Sequence, residues 1–350
     1  MKPPASVVSQ VRKLMTDNGH YRGSEKREGS NKPAVPLDEF VALLYEEGGS
    51  AYKLAKRLGI AHRMVAKRRE MVEEALGIEL PRGRPEVWKS QAHRRRIDIA
   101  VDDATILIGS DLHAWPEEYG VAMVAFLDFN RRLKPDFVIL NGDGLDGAKI
   151  SRHSRIGWDQ RPSVKEELGA LGDYTDDVRK ANPNGRYFYT YGNHSMRFET
   201  YLASNAPEVE GLKGTTLAEY MPGWDLGMAL LINRNLLIKH RHKSGVHNAW
   251  QNVRDAGIHI VTGHTHRQVC RPWSNFGGTW YGVDLGMMAR TEGPQFDYCE
   301  IGNHGLGDWR SGFAVLTVKA GNLMPPELAT VTDEEAGELY FRGKTLKYEL

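Results

Sequence analysis

The chain has 350 residues, 41% of them hydrophobic, and only two cysteines, Cys270 and Cys299. That is enough apolar material for a large core plus a small second module, and too little sulfur for a disulfide framework. The net charge of +1 hides a split: residues 1–100 carry 20 Lys and Arg against 13 Asp and Glu, and the rest carry 26 against 32.

No apolar run approaches the roughly 20 residues needed to span a bilayer, and the N-terminus lacks the apolar segment of a secretion signal. A cytoplasmic protein without membrane contact is expected, its cysteines ordinary packed or surface thiols in a reducing setting. The basic first part is expected to meet a polyanion while the acidic second part does chemistry.

Residues 1–35 mix Pro, Gly, Ser, Asn and charge without sustained periodicity, which predicts a flexible basic arm apart from a short helix around Val7 to Met15. A domain over 36–78 follows. Its first helix covers Leu37 to Leu44 and stops at Gly48-Gly49; Ser50 caps a second that carries Tyr52, Leu54, Ala55 and Leu58. After Leu58-Gly59-Ile60 a third helix runs from Ala61 to about Leu76, with Met64 and Val65 turned to the core and Arg63, Lys67, Arg68 and Arg69 exposed.

This helix, tight turn and basic helix resemble a helix-turn-helix DNA-binding module of phage and bacterial regulators and recombinases. The resemblance implies that His62, Arg63, Lys67 and Arg68 face the groove or the phosphates of DNA. The alternative is a helical bundle used for protein contacts. Residues 79–98 form a basic linker in which Pro81-Arg82-Gly83-Arg84-Pro85 resembles an AT-hook, with Arg82 and Arg84 in a minor groove; a stiff spacer is the other reading.

From 99 to 325 the pattern alternates strand and helix. Strands are expected at Thr105 to Ile108, Phe137 to Leu140, Tyr187 to Tyr191, Leu236 to Lys239, Ile258 to Thr262, Trp280 to Val283 and Phe313 to Val318. Helices fit Val121 to Leu133, Val164 to Lys180 and Ser195 to Ala203, and residues 326–350 are read as a C-terminal extension. Residues 290–311 are either a substrate-gating loop or an insertion, and Trp273, Phe276, Trp280 and Tyr281 are assigned to the core rather than to a base-stacking platform.

Polar clusters begin where apolar runs end: Asp111-Leu-His113, Gly142-Asp143, Gly192-Asn193-His194, His240, and Gly263-His264-Thr265-His266. Asp, Asn and His suit hard or borderline divalent cations, and ligands gather beyond the carboxyl ends of strands in open α/β sheets. The set resembles the signature of the calcineurin-like metallophosphoesterases over roughly residues 100–320.

That resemblance implies a four-layer α/β sandwich, two β-sheets flanked by helices, holding two divalent metal ions. Asp111, His113 and His266 would hold one metal, Asn193, His240 and His264 the other, and Asp143 would bridge them. Mn²⁺ is the expected ion, with Fe, Zn or Co as alternatives. The two cations would share a hydroxide that attacks phosphorus, with His194 at the leaving oxygen and Arg197 on the phosphate.

Asp146 is expected behind the ligands, and His153 and Arg155 either line the cleft or sit on a solvated loop. Two positions depart from the family. Ser195 stands where an acid commonly supports the His, and His240-Arg241-His242 leaves His242 as a second choice of ligand or a substrate contact. The family contains several substrate classes, so the substrate expectation, DNA phosphodiester bonds cut by an endo- or exonuclease, rests on the N-terminal module. The alternatives are a phosphatase or nucleotide phosphodiesterase acting on small substrates or DNA ends, and a DNA-binding regulator whose phosphoesterase domain senses a nucleotide.

Overall fold

The computed structural model divides the chain into two compact units, residues 1–92 and 93–350. Residues 3–17, 35–81, 93–152, 160–297 and 306–349 are described; Arg82, Arg84, His153, Arg155 and Cys299 lie outside them.

The first unit contains α1 (Ala5–Asp17), α2 (Leu37–Glu46), α3 (Ala51–Leu58) and α4 (His62–Leu76). Its core gathers Val11, Leu37, Phe40, Leu44, Leu54, Val65 and Val72. Ser50 caps α3 by accepting the Lys53 amide at 3.3 Å, and Gly59, at φ 65°, ends it in the left-handed conformation that glycine adopts without a Cβ clash.

The third helix turns differently from the sequence expectation. Val65 and Val72, two turns apart, face the core, which leaves Met64 exposed together with His62, Arg63 and Lys67. Arg68 does not join that exposed row. Its guanidinium lies 5.0 Å over the Phe40 ring and donates to the Val35 carbonyl, while Arg69 donates to the Gly49 carbonyl at 2.6 Å. Both arginines thus fasten α4 to the segments around α2.

The second unit is built on two sheets. Strands β1 (Ile97–Ile99), β6 (Leu230–Ile232), β7 (Leu236–Ile238), β8 (His259–Thr262), β9 (Gln268–Asn275) and β10 (Gly278–Leu285) form a six-stranded sheet in the order β1-β6-β7-β8-β10-β9. A nine-stranded sheet runs β15-β14-β13-β11-β2-β3-β4-β5, with β12 (Asn322–Leu323) paired to β11. Its members are β2 (Ala104–Gly109), β3 (Phe137–Leu140), β4 (Arg186–Thr190), β5 (Trp224–Gly227), β11 (Gly312–Lys319), β13 (Glu327–Asp333), β14 (Glu338–Phe341) and β15 (Lys344–Lys347).

The central strands read as unbroken apolar runs because both of their faces are buried. Leu107, Val138, Leu140, Tyr189 and Phe313 point to a core shared with α5 (Val121–Leu133), α6 (Val164–Ala181) and α7 (Arg197–Asn205). Their neighbours Ile106, Ile108, Ile139, Phe188 and Ala314 point to a second core that receives Ile238, Val261 and Val283 from the other sheet. Each such Val, Leu, Ile or Phe side chain, fully buried, contributes about 1.5–3 kcal/mol. The last helix, α8 (Asn248–Ala256), packs on β8, β9 and β10, completing a helix, sheet, sheet, helix stack.

The expected boundary at 325 falls inside the larger sheet, since β13 pairs with β11 and carries β14 and β15 beyond it. Glu334, between β13 and β14, accepts the Val121 amide at 2.6 Å and so ties this segment to the start of α5. The expected helix at Ser195 begins only at Arg197, because the His194 and Ser195 amides turn to the Asp143 carboxylate at 2.8 and 3.3 Å. No helix among the described residues is long and apolar enough to cross a membrane.

Candidate metal centre

Strands β2, β3 and β4 are parallel, so the loops leaving them reach one edge of the larger sheet. There Asp111 follows β2, Asp143 follows β3, and Asn193 and His194 follow β4; the smaller sheet adds His240 after β7 and His264 and His266 after β8. The loops hold each other by backbone bonds, the Asp111 amide to Gly142 O at 3.1 Å and the His113 amide to Asp143 O at 2.9 Å. Close approach explains two glycines: a Cβ on Gly142 would run into the His240 ring, and one on Gly192 into the Asp143 carboxylate.

Five of these side chains sit on backbone that non-glycine residues seldom adopt: φ is 54° at Asp111, 42° at His113, 46° at Asp143, 74° at His264 and 59° at His266. Each such residue costs on the order of 1–3 kcal/mol, and it persists where the surrounding structure holds it for a purpose.

Three groups of potential ligand atoms result among the described residues, one of them His113, Asp146 and His194. Asp111, His113 and His266 converge, and so do Asp143, His240 and His264, each set within 4.8 Å of one another. His266 Nε2 lies 3.1 Å from Asp111 Oδ1, and His240 Nε2 lies 2.9 Å from Asp143 Oδ2. His240 donates Nδ1–H to Asn141 O at 2.7 Å, which fixes its tautomer and leaves Nε2 facing inward. His242 points elsewhere, pairing with Asp255 at 2.8 Å, so the structure brings His240 and not His242 to the centre.

The fit to cations is tested by what is left unpaired. His113 Nε2, His266 Nδ1 and the Asn193 side-chain oxygen are buried without a hydrogen-bond partner, and His240 Nε2 faces the Asp143 carboxylate. A buried polar atom without a partner costs roughly 1–3 kcal/mol, and three such atoms beside buried carboxylates are what divalent ions would satisfy. The residues present fit such ions.

Electrostatics point the same way. Burial works against charge on Asp111, but His240, His266 and His113 outweigh it and hold the carboxyl well below its usual range; Asp143 is likewise lowered, burial being overcome by His240 and His194. Burial opposes protonation of His113, yet Asp111 and Asp146 raise it to about 10, and Asp143 and Asp111 raise His240 to about 9 against the same penalty. His264 is pushed down to about 4 by burial and then by His240, which makes it a neutral donor.

Asp146 does more than hold one turn. Its Oδ1 lies 2.9 Å from both His113 Nδ1 and His194 Nδ1, so one buried carboxylate orients a ligand and the residue expected at the leaving oxygen. This supplies the support that Ser195 cannot give; Ser195 bonds Tyr189 instead. Arg197 donates to Asp146 O at 2.8 Å and places Nη2 3.2 Å from His194 Nε2. The phosphate contact expected of Arg197 would start from this position beside His194.

Sequence reasoning missed the supporting shell. Ser110 donates to Asn141 O at 2.7 Å, Asn141 accepts from Thr190 at 2.7 Å, and Asp284 accepts from both Asn248 and Thr265. The Asn141-Gly-Asp143 run at a strand end was the available signal for the first of these. The others join chain segments too distant to pair by eye.

No family model matches the sequence. Gene 54 protein of Mycobacterium phage D29 is 27% identical over 237 residues, covering 59% of this chain and 86% of that protein. Gene 54 protein of Mycobacterium phage L5 is 25% identical over 236 residues, covering 57% and 82%. Among solved structures, the E. coli phosphoesterase YfcE aligns with a TM-score of 0.32 at 11% identity, covering 63% of this chain and 97% of its own. A novel archaeal phosphodiesterase aligns with 0.33 at 12%, covering 64% and 99%. A dimetal phosphatase from Danio rerio aligns with 0.34 at 11%, covering 70% and 99%.

Proposed function

We propose that the second unit hydrolyses phosphoesters with two divalent metal ions, and that its substrate is the phosphodiester backbone of DNA. The observation that carries the first part is the convergence of Asp111, His113 and His266 and of Asp143, His240 and His264, with His113 Nε2, His266 Nδ1 and the Asn193 oxygen buried and unpartnered. In this reading Asp111, His113 and His266 would hold one ion, Asn193, His240 and His264 the other, and Asp143 would bridge, with Mn²⁺ the expected ion and Fe, Zn or Co suited to the same mixed oxygen and nitrogen donors.

Bound there, the two cations would lower the pKa of a water they share and offset charge building on the phosphoryl oxygens. The protein's own groups do the rest. Asp146 keeps His194 upright through Nδ1, so Nε2 stands free to meet the leaving oxygen once Arg197 swings from it to a phosphate oxygen. Exchange of that guanidinium between His194 and substrate would couple binding to release of the imidazole.

Support for DNA comes from the first unit, where His62, Arg63 and Lys67 lie exposed on α4 behind the glycine-ended α3, the arrangement of a helix-turn-helix reader. With Mn²⁺, the full-length protein should hydrolyse bis-p-nitrophenyl phosphate and DNA, and Asp143→Ala should do neither. Turnover of p-nitrophenyl phosphate with every DNA form left intact would replace the nuclease reading by that of a small-substrate phosphatase. Binding of DNA without any Asp143-dependent hydrolysis would leave a regulator.

A further inference from the structure

Strand β9 begins two residues after His266 and is the outer edge of the six-stranded sheet. Successive residues of a strand alternate faces, so Val269, Arg271 and Trp273 share one side, and Arg267, just before the strand, lines the same hollow as Val269 and Arg271. It is the side covered by α8, because Arg271 pairs with Gly282, where a Cβ would strike the Ala249 carbonyl. At about 3.4 Å per residue, this row leads roughly 20 Å from Arg267 to Trp273, and the tip of the β9–β10 hairpin lies about 10 Å farther from the metal centre.

The row opens into a hollow of about 270 Å³ lined by Arg267, Arg271, Arg310, His247 and Trp250. Asp308, 3.5 Å from Arg267, is the carboxylate set among these three guanidiniums. Farther out, Trp250 is 40% exposed with the Arg254 guanidinium 4.5 Å from its ring. Trp273 and Trp280 lie 5.5 Å apart, and Phe276 at the hairpin tip is fully exposed.

None of Trp250, Trp273, Phe276 and Trp280 belongs to a core cluster among the described residues, which overturns the expectation that the last three are core; only Tyr281 packs inward. Trp250 and Phe276 are exposed and Trp273 and Trp280 half-buried, and such aromatics along a row of guanidiniums cost solubility unless a partner covers them. Unpaired bases offer π-faces to such rings while their phosphates meet the arginines; in a duplex the bases are stacked away from them.

We propose that this face, β9 to β10 with α8, is a track that binds single-stranded DNA and feeds it to the metal centre. The proposal rests on the reading of that centre as a phosphodiester hydrolase, and its test separates the two. Full-length protein with chelator present is titrated into a labelled single strand, the same sequence as a duplex, and an abasic strand of equal length, with anisotropy as readout. Wild type should bind the single strand more tightly than the abasic one.

Trp250→Ala and Phe276→Ala should each weaken single-strand binding about tenfold while leaving the abasic strand unaffected. Arg271→Ala should flatten the dependence of log K on log salt by about 0.7. Phe276 is fully exposed, so its replacement does not endanger folding. Wild-type affinity and salt slope in all three variants, equal binding of base-bearing and abasic strands, or an equal loss for duplex would each overturn the track. Turnover of bis-p-nitrophenyl phosphate, measured separately with Mn²⁺, reports on the centre alone: its absence in wild type would speak against the hydrolase reading and leave the binding result standing.

Discussion

Replacing Asp146 by Asn should weaken metal binding and slow the reaction through two imidazoles at once. The substitution keeps the shape and one acceptor oxygen but removes the charge that receives His113 Nδ1 and His194 Nδ1, each at 2.9 Å. A charge-assisted bond exceeds a neutral one by about 1 kcal/mol, so two bonds lose about 2 kcal/mol, roughly thirtyfold. That falls within the 10–100-fold range for partners standing behind a metal ligand.

Chelator competition would measure the metal affinity, and aryl phosphodiesters of graded leaving group would measure the reaction. The loss of rate should grow as the leaving group becomes poorer, because that is where His194 acts. Wild-type metal affinity together with an unchanged leaving-group dependence would refute the role given to this carboxylate.

Metal uptake should be steeply pH-dependent. In the metal-free fold His113, at about 10, and His240, at about 9, carry protons at neutral pH that ligation must displace. Affinity should then rise by up to about tenfold per pH unit for each proton between pH 7 and 9, read as buffer-dependent heats in calorimetry. By the same sign, these raised histidines contribute stability to the metal-free fold that is complete below pH 6.5 and lost as pH rises through about 9 and 10. Gly192→Ala, which sets a methyl against the Asp143 carboxylate, should abolish tight metal binding while circular dichroism stays native. Glu167, raised to about 7 by burial and then by Asp146, keeps its proton longer folded than unfolded, so stability should fall as pH rises from about 4.5 to 7. Glu167→Gln should remove that fall in thermal melts. Arg63→Ala and Lys67→Ala should weaken duplex binding without lowering the melting temperature, whereas Arg68→Ala should lower it, since Arg68 packs on Phe40.

The strands that could be read from sequence are those buried on both faces, such as Phe137 to Leu140, where continuous apolar residues leave no other reading. Those that escaped are short or at an edge: Leu230–Ile232 has three residues, and β9 carries Pro272, which an edge strand tolerates because it need not donate there. The C-terminal strands alternate charge with apolar residues and read as an extension, because what joins them to the sheet is the pairing of β13 with β11, with β14 and β15 added in turn. Within the site, the ligand types and their placement at strand ends were legible because turns after strands are local. Asp146 bridging His113 and His194 was not, since a shared carboxylate depends on how three loops meet.

Asp111, His113, Asp143, His264 and His266 all hold left-handed backbone, which glycine would adopt without penalty. The unloaded chain would therefore grow firmer if neutral His264 became glycine, whereas at Asp111 and Asp143 the relief would be offset by loss of the carboxylates that keep His113 and His240 protonated. A laboratory selection for heat resistance that never asks for turnover should collect replacements at His264 before any at the two carboxylates, and a sturdier variant that has lost a ligand would be its natural product.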